Sequence, residues 1–218
     1  MSVRERVFAA LYDPLSARTE KRFGAELKRQ LLADARGRVL EVGIGTGLSL
    51  PHYPADVELV GVEPSKPMRR RAQRRAAELG RDVTLVAAPA EELPFEDDSF
   101  DTVVTFVVLC SVRDPDRALT EIRRVLRPGG HFIFVEHVRS GDPQLARKQD
   151  RFERPWGWIA GGCHPNRQTL GAIEAAGFDV VELEQKDLPD IPRLVRPHII
   201  GVAADETPTR AASPGSAV

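Results

Sequence analysis

Arg38-Val39-Leu40-Glu41-Val42-Gly43-Ile44-Gly45-Thr46-Gly47 is the stretch whose reading decides the fold. An apolar run of strand length carries an acid near its end and then breaks into three glycines at alternate positions. The run reads as a buried strand. The glycines read as a turn whose backbone takes positive φ or comes close to a ligand. Leu48-Ser49-Leu50 reads as the first turn of a helix. A strand, a glycine turn and a helix start together form an edge of nucleotide size.

Downstream, apolar runs at 57–62, 83–87, 101–108 and 131–137 predict four more strands. Between them, Met68, Ala72, Ala76 and Leu79 mark the apolar face of one helix, and Asp116 to Arg127 reads as another, closed by Pro128-Gly129-Gly130. Strands that are apolar throughout and alternate with helices predict a parallel sheet covered on both faces. The last third reads differently. A polar helical stretch from Pro143 to about Ala160 holds Phe152, Trp156 and Trp158. Gly161-Gly162-Cys163-His164-Pro165 follows, then a helix over 168–176, then two late strands at 178–183 and 198–203 that pair antiparallel at the sheet edge. Upstream, residues 3–35 predict two helices joined near Tyr12-Asp13-Pro14-Leu15, because the proline interrupts the apolar spacing. These helices either cover a face of the sheet or fold over a ligand mouth. The chain reads as a single α/β domain over 1–204, with a helical cap at 1–36, an insertion at 140–165 and a disordered Pro/Ser/Gly/Ala-rich tail at 205–218.

The bulk numbers bound the function. The 218 residues fit one compact domain. With 31 Lys and Arg against 32 Asp and Glu, net charge is −1, so no large electrostatic footprint for nucleic acid is expected. The arginine run Arg69-Arg70-Arg71 with Arg74 and Arg75 alternates with an apolar face and reads as a solvated helix surface. Two distant cysteines, Cys110 and Cys163, form no disulfide framework and imply a reducing cytoplasm. The charged N-terminus predicts no signal peptide, and no apolar run reaches the roughly 18–20 residues that cross a bilayer, so no membrane attachment is expected.

Gly43-x-Gly45-x-Gly47 lacks the wider G-x-G-x-x-G spacing that brings a helix N-terminus to a pyrophosphate. Glu41 before it would repel a phosphate and suits a ligand that carries an ammonium. Glu63, ending the second strand, is placed to accept hydrogen bonds from a ribose diol. Ribose plus a positive group without pyrophosphate describes S-adenosylmethionine. An NAD-linked dehydrogenase is disfavoured by the same spacing.

Glu41-Val42-Gly43-x-Gly45-Thr46-Gly47, the acid Glu63, Ala90-Glu91-Glu92-Leu93-Pro94-Phe95, Asp98-Ser99-Phe100-Asp101 and Arg124-Val125-Leu126-Arg127-Pro128-Gly129-Gly130 recur in an order and separation that resemble a class I S-adenosylmethionine-dependent methyltransferase of the type 11 kind. A narrower resemblance covers more of the chain. Leu109-Cys110-Ser111-Val112, Phe134-Val135-Glu136-His137-Val138, Gly162-Cys163, Arg167-x-Thr169 and Val195-Arg196-Pro197-His198-Ile199 are similar to the methyltransferase-like 7 proteins, which methylate alkyl thiols. Ubiquinone/menaquinone C-methyltransferases and small lipid N-methyltransferases share the core motifs and match the last third less well.

The resemblance implies a Rossmann-like, seven-stranded, mostly parallel sheet in the order 3-2-1-4-5-7-6 with the last strand antiparallel. It implies S-adenosylmethionine as cofactor and a site assembled residue by residue. Gly43, Gly45 and Gly47 admit the methionine part, and Glu41 orients its ammonium. Glu63, with Pro64 beside it, takes the ribose. Ala90, with Glu91 and Met68, borders the adenine, although Met68 also suits core packing. Phe106 and Val107, at the end of the fourth strand, border the methyl group. Tyr12, Trp156, Cys163 and His164 are assigned to the substrate side, which places the 140–165 insertion there. Trp156, Trp158 and Phe152 either line an apolar pocket or fill core. His137 is a candidate base for a thiol or hydroxyl. Cys110 is either a catalytic thiol or a buried inert one. Cys110, His137, Cys163 and His164 lack the C-x-x-C or H-x-x-x-H spacing of a zinc site, so no metal is expected. The leading expectation is methylation of a small, fairly apolar thiol by a monomer or weak homodimer. An O- or C-methyltransferase of phenols or quinones, a lipid N-methyltransferase and a cofactor binder without transfer are the rivals.

Overall fold

The computed structural model describes residues 3–205. Seven strands form one sheet: β1 (Arg38–Val42), β2 (Glu58–Val62), β3 (Thr84–Val86), β4 (Phe100–Phe106), β5 (Leu126–His137), β6 (Asp179–Asp187) and β7 (Pro197–Ala204). Their order is β3-β2-β1-β4-β5-β7-β6, as the resemblance implied. β1 to β5 are parallel neighbours, whereas β7 runs antiparallel to both β5 and β6. The helices are α1 (Val3–Thr19), α2 (Ala25–Leu31), α3 (Lys66–Leu79), α4 (Pro115–Val125), α5 (Pro143–Ile159) and α6 (Thr169–Ala175).

The two-residue period of the strands sorts side chains onto two faces. Leu40, Val42, Val103, Phe132 and Phe134 pack with Leu119 and Ile122 of α4 and Ile173 of α6. Val39, Leu59, Val104 and Ile133 pack on the other face with Leu32, Ala35 and Ala76 of α3. Burial on both sides is why the parallel strands read as unbroken apolar runs.

Five expectations are corrected. No α-helix follows the glycine turn: Leu48-Ser49 form turns, and Leu50–His52 is a single 3-10 turn, since Pro51 and Pro54 remove the donors a longer helix needs. The chain does not break at Pro14, which lies inside α1. The irregularity comes later, as a π-helical turn at Glu20–Gly24. Ion pairs of Asp13 with Arg75 and Arg71 hold α1 on the molecule beside its proline. α4 ends at Val125 because Leu126 already pairs with Phe100. Pro128-Gly129-Gly130 then sits in a register shift before His131 resumes the ladder opposite Thr102. Phe152 and Trp158 are exposed and are neither core nor pocket lining. Of the expected tail, Asp205 is buried against Arg123, and residues 206–218 lie outside the described residues.

Candidate functional site

The site lies at the carboxyl ends of β1, β2, β4 and β5, where open α/β sheets receive ligands. Gly43, Gly45 and Gly47 all take positive φ, at 69°, 58° and 78°. The surroundings differ. A Cβ on Gly43 would stand 2.6 Å from Val108, whereas at Gly45 nothing but the Gly43 carbonyl lies nearby, at 3.8 Å. The turn is therefore packed at its first glycine and open at its second.

Glu63 is buried and fastens this turn. Its carboxylate accepts from the Gly45 N–H at 3.2 Å and from the Ser65 N–H at 2.7 Å. One oxygen serves each donor, which leaves lone pairs for a diol. Burial raises its pKa, offset by the two backbone donors. Glu41 is also buried. The Ser49 hydroxyl (2.5 Å) and the Tyr53 hydroxyl (3.0 Å) donate to one of its oxygens. Burial pushes its pKa up to about 7 against these bonds and the charge of Lys28. Lys28 also lies 5.8 Å from the Phe106 ring centroid, so a cation stands beside the end of β4.

Met68 and Ala90 are buried and Pro64 is exposed. The Glu91 side chain accepts from the N–H groups of Arg113 (2.8 Å) and Asp114 (3.3 Å), so it braces the entry to α4. Three arginines expected in solvent turn inward. Arg69 donates to the Glu63 carbonyl, Arg75 donates to the Thr46 carbonyl (2.7 Å) and to Asp13 (3.0 Å), and Arg71 lies 3.8 Å from Asp13. Thr46 in turn donates to Asp13 at 2.6 Å, which ties α1 to the glycine turn.

Next to this edge, the chain brings together three groups from three elements. Cys110 lies in the turn after β4, His137 ends β5 and Cys163 follows α5. The His137 Nδ1 is 3.5 Å from the Cys110 sulfur and 3.3 Å from the Cys163 sulfur. Both cysteines are buried and His137 is half-buried. A hydrogen bond with Cys110 and a second with His137 hold the Cys163 thiol well below the usual range. The reciprocal bond and burial push Cys110 up. Trp156 packs on the same group with Val107 and Val195. Tyr12 reaches from α1: burial pushes its pKa up to about 12, and the charges of Glu20, Cys110, Asp13 and Glu63 act in the same direction. His164 turns away, with Nδ1 2.7 Å from Glu153. The sequence spacing of metal ligands was blind to this grouping, since its members come from distant segments.

Several residues that hold the site went unassigned in the sequence. Glu136 is fully buried and accepts from the N–H groups of Val108 (3.0 Å) and Cys110 (3.4 Å). Arg167 donates to the carbonyls of Leu109 and Val112 (2.7 Å), and the His164 N–H donates to the Cys110 carbonyl at 2.7 Å. Gln149 is buried and reaches the carbonyls of Val138, Pro165 and Leu194, while its oxygen accepts from Ser140. An acid directly before His137, and an arginine in the motif that also supplied the resemblance, were the signals available. Val107 sits at φ 59°, a conformation that is strained for a β-branched residue and that clusters at functional sites. His198, opposite His137 in the ladder, stacks edge-on at 4.5 Å. Burial and the charge of His137 bring its pKa down to about 3.

Residues 40–134 match the family described as "Methyltransferase domain". Over 208 residues the chain is 35% identical to thiol S-methyltransferase TMT1B of Rattus norvegicus, covering 90% of this chain and 85% of that protein. It is 32% identical to thiol S-methyltransferase TMT1A of Homo sapiens, covering 90% and 82%. A crystal structure described as a SAM-dependent methyltransferase, possible histamine N-methyltransferase, from Thermotoga maritima superposes with a TM-score of 0.68 at 25% identity, covering 94% of this chain and all of that one. Sheet order, glycine edge and relatives together place the chain in the class I S-adenosylmethionine-dependent methyltransferases, in the family of the methyltransferase-like 7 thiol S-methyltransferases.

Proposed function

We propose that the protein transfers the S-adenosylmethionine methyl group to the sulfur of a small, fairly apolar thiol. The observation that supports this reading is the Cys110–His137–Cys163 group, which packs with Val107 just past the end of β4. Methyl transfer from a sulfonium is an in-line displacement: a sulfur–carbon bond forms to the acceptor, and the electron pair of the breaking bond returns to the cofactor sulfur. The protein's task is alignment and acceptor ionisation. In this reading Gly43, Gly45 and Gly47 receive the methionine part and Glu41 attracts its ammonium. Glu63 takes the ribose, Met68 and Ala90 border the adenine, and Tyr12 and Trp156 enclose the acceptor. Cys110 and His137 stand at the reacting sulfur, where an acceptor thiol must lose its proton. The two relatives named as thiol S-methyltransferases support the choice of acceptor atom.

The acceptor is read as a free small molecule. No helix among the described residues is long and apolar enough to cross a membrane, and both cysteines are free. We place the protein in the cytoplasm as a monomer or weak homodimer, since free buried thiols persist in a reducing compartment. The test is incubation of purified protein with methyl-labelled cofactor and a panel of thiols, phenols and amines. Label appearing in alkyl thioethers, with S-adenosylhomocysteine in equal amount, is the expected result. Label only on oxygen, nitrogen or carbon would overturn the thiol assignment. Cofactor binding without turnover would make the chain a binder.

A further inference from the structure

We propose that Cys110, His137 and Cys163 form a three-ligand zinc site whose fourth position receives the acceptor thiol as a thiolate. The inference rests on the thiol reading above and says how that thiol is ionised.

The donor set favours zinc. Two cysteine sulfurs and one imidazole nitrogen suit a borderline-soft cation, and Cys2His with one open position is a known catalytic arrangement for zinc. The three ligand atoms all lie within 4.8 Å of one another. The sulfur-to-nitrogen edges are 3.5 and 3.3 Å, against roughly 3.5 Å for the edge of a tetrahedron built on ordinary zinc–sulfur and zinc–nitrogen bonds. The group has three members: among the described residues, no fourth His, Cys, Asp or Glu donor joins it. A structural zinc site would be closed by a fourth protein ligand.

The surroundings hold the ligands in place. The turn that carries Cys110 is held by Glu136 through two backbone N–H groups, by Arg167 through two carbonyls, and by His164 N–H through the Cys110 carbonyl. Trp156 carries a buried indole N–H without a conventional hydrogen-bond partner, beside Cys163. Such an N–H suits a metal-bound thiolate, which keeps acceptor capacity toward a second donor.

The step balances. Zinc binding displaces the protons of Cys110 and Cys163 to solvent. The acceptor R–SH enters the fourth position as R–S⁻ and releases its own proton to solvent. The zinc-bound sulfur attacks the cofactor methyl carbon, the carbon–sulfonium bond breaks, and its electron pair stays on the cofactor sulfur as neutral S-adenosylhomocysteine. The product thioether is a weaker ligand than the thiolate and leaves the metal.

The test uses the full chain, stripped of metal with a chelator and titrated with Co²⁺ as a spectroscopic stand-in for zinc. Expected are one equivalent bound, a sulfur-to-cobalt charge-transfer band in the near ultraviolet, and a change in the visible ligand-field bands when an alkyl thiol is added. Zinc should displace the cobalt. Cys110→Ser and Cys163→Ser should each weaken zinc binding roughly a hundredfold, at the upper end of what loss of a mere supporting partner costs, while calorimetry with S-adenosylhomocysteine verifies that the variants still fold and bind cofactor. Absence of a thiolate band, or zinc affinity unchanged in both variants, overturns the site. The two readings fail separately. Full-rate thiol methylation by the stripped protein removes the metal's role and leaves the thiol function. A cobalt–thiolate spectrum that thiols do not alter, in a protein that methylates none of them, overturns the thiol function and the open fourth position together.

Discussion

At the residue scale, Glu41 is the group whose chemistry is tuned furthest along the edge proposed for the cofactor. Burial raises its pKa from 4.5 to about 7. Between those values the unfolded chain is ionised while the folded chain keeps the proton. This group's contribution to stability therefore falls as pH rises through that window, by about 3 kcal/mol in all. A protein would shed that cost unless the carboxylate met a positive ligand. If the cofactor ammonium is that ligand, binding lowers the Glu41 pKa and releases a proton. Calorimetry in buffers of different ionisation heat should then register roughly half a proton released per S-adenosylmethionine bound at pH 7, with affinity climbing between pH 6 and 7.5. Glu41→Gln should release none and flatten that profile. A wild-type protein that releases no proton would separate Glu41 from the ammonium. Glu63 works differently, through geometry. Each of its oxygens already holds one backbone N–H. Glu63→Ala should weaken cofactor binding by about 1.5–3 kcal/mol for each charge-assisted bond to the ribose. Unchanged affinity by calorimetry would place the ribose elsewhere.

At the scale of elements, the site depends on how the ends of strands are tied. The turn after β4 leaves the strand through a strained Val107 and is then held by Glu136 from β5 and Arg167 from the approach to α6. Replacing Glu136 by Gln leaves one acceptor oxygen and sets an amide N–H₂ against backbone donors. The expected cost is about 1–3 kcal/mol of stability. Methyl transfer should slow while the cofactor's Kd stays within twofold or so, because the edge proposed for the cofactor belongs to β1 and β2. An equal loss in cofactor affinity would show that the two halves of the site are not separable. The cap is held in a similar way, with Asp13 gathering Thr46, Arg75 and Arg71. From sequence, those arginines looked like a solvated surface and Pro14 looked like a break. Both readings failed because the partner lay across the fold: helical spacing marks which residues face the core but not which charges meet a neighbouring element.

At the scale of the molecule, a ligand that binds only the folded state stabilises it by mass action. At a hundredfold excess over Kd the gain is about 2.7 kcal/mol, which for a chain of this length corresponds to roughly 5–10 °C in Tm. S-adenosylmethionine and S-adenosylhomocysteine should each produce such a shift in thermal unfolding, and NAD at the same concentration should produce none. A shift with NAD alone would overturn the cofactor assignment drawn from the glycine spacing.

The sequence by itself determined the α/β alternation, the five parallel strands and the edge formed by Glu41, the three glycines and Glu63. These follow from short-range patterns: a two-residue period buried on both faces, and glycines where the backbone must turn with positive φ. Only the tertiary structure showed that Cys110, His137 and Cys163 meet in one group. Cys110, His137 and Cys163 are separated by 27 and 26 residues, and no local period relates them. They meet because parallel strands bring their carboxyl ends to one rim, while α5 and the segment after it fold back over that rim, clasped by Gln149 through carbonyls from three separate loops. Local propensity fixes what each segment becomes, whereas the pairing of distant segments fixes which side chains share a site, and that pairing is carried by long-range hydrogen bonds and burial that no single stretch contains.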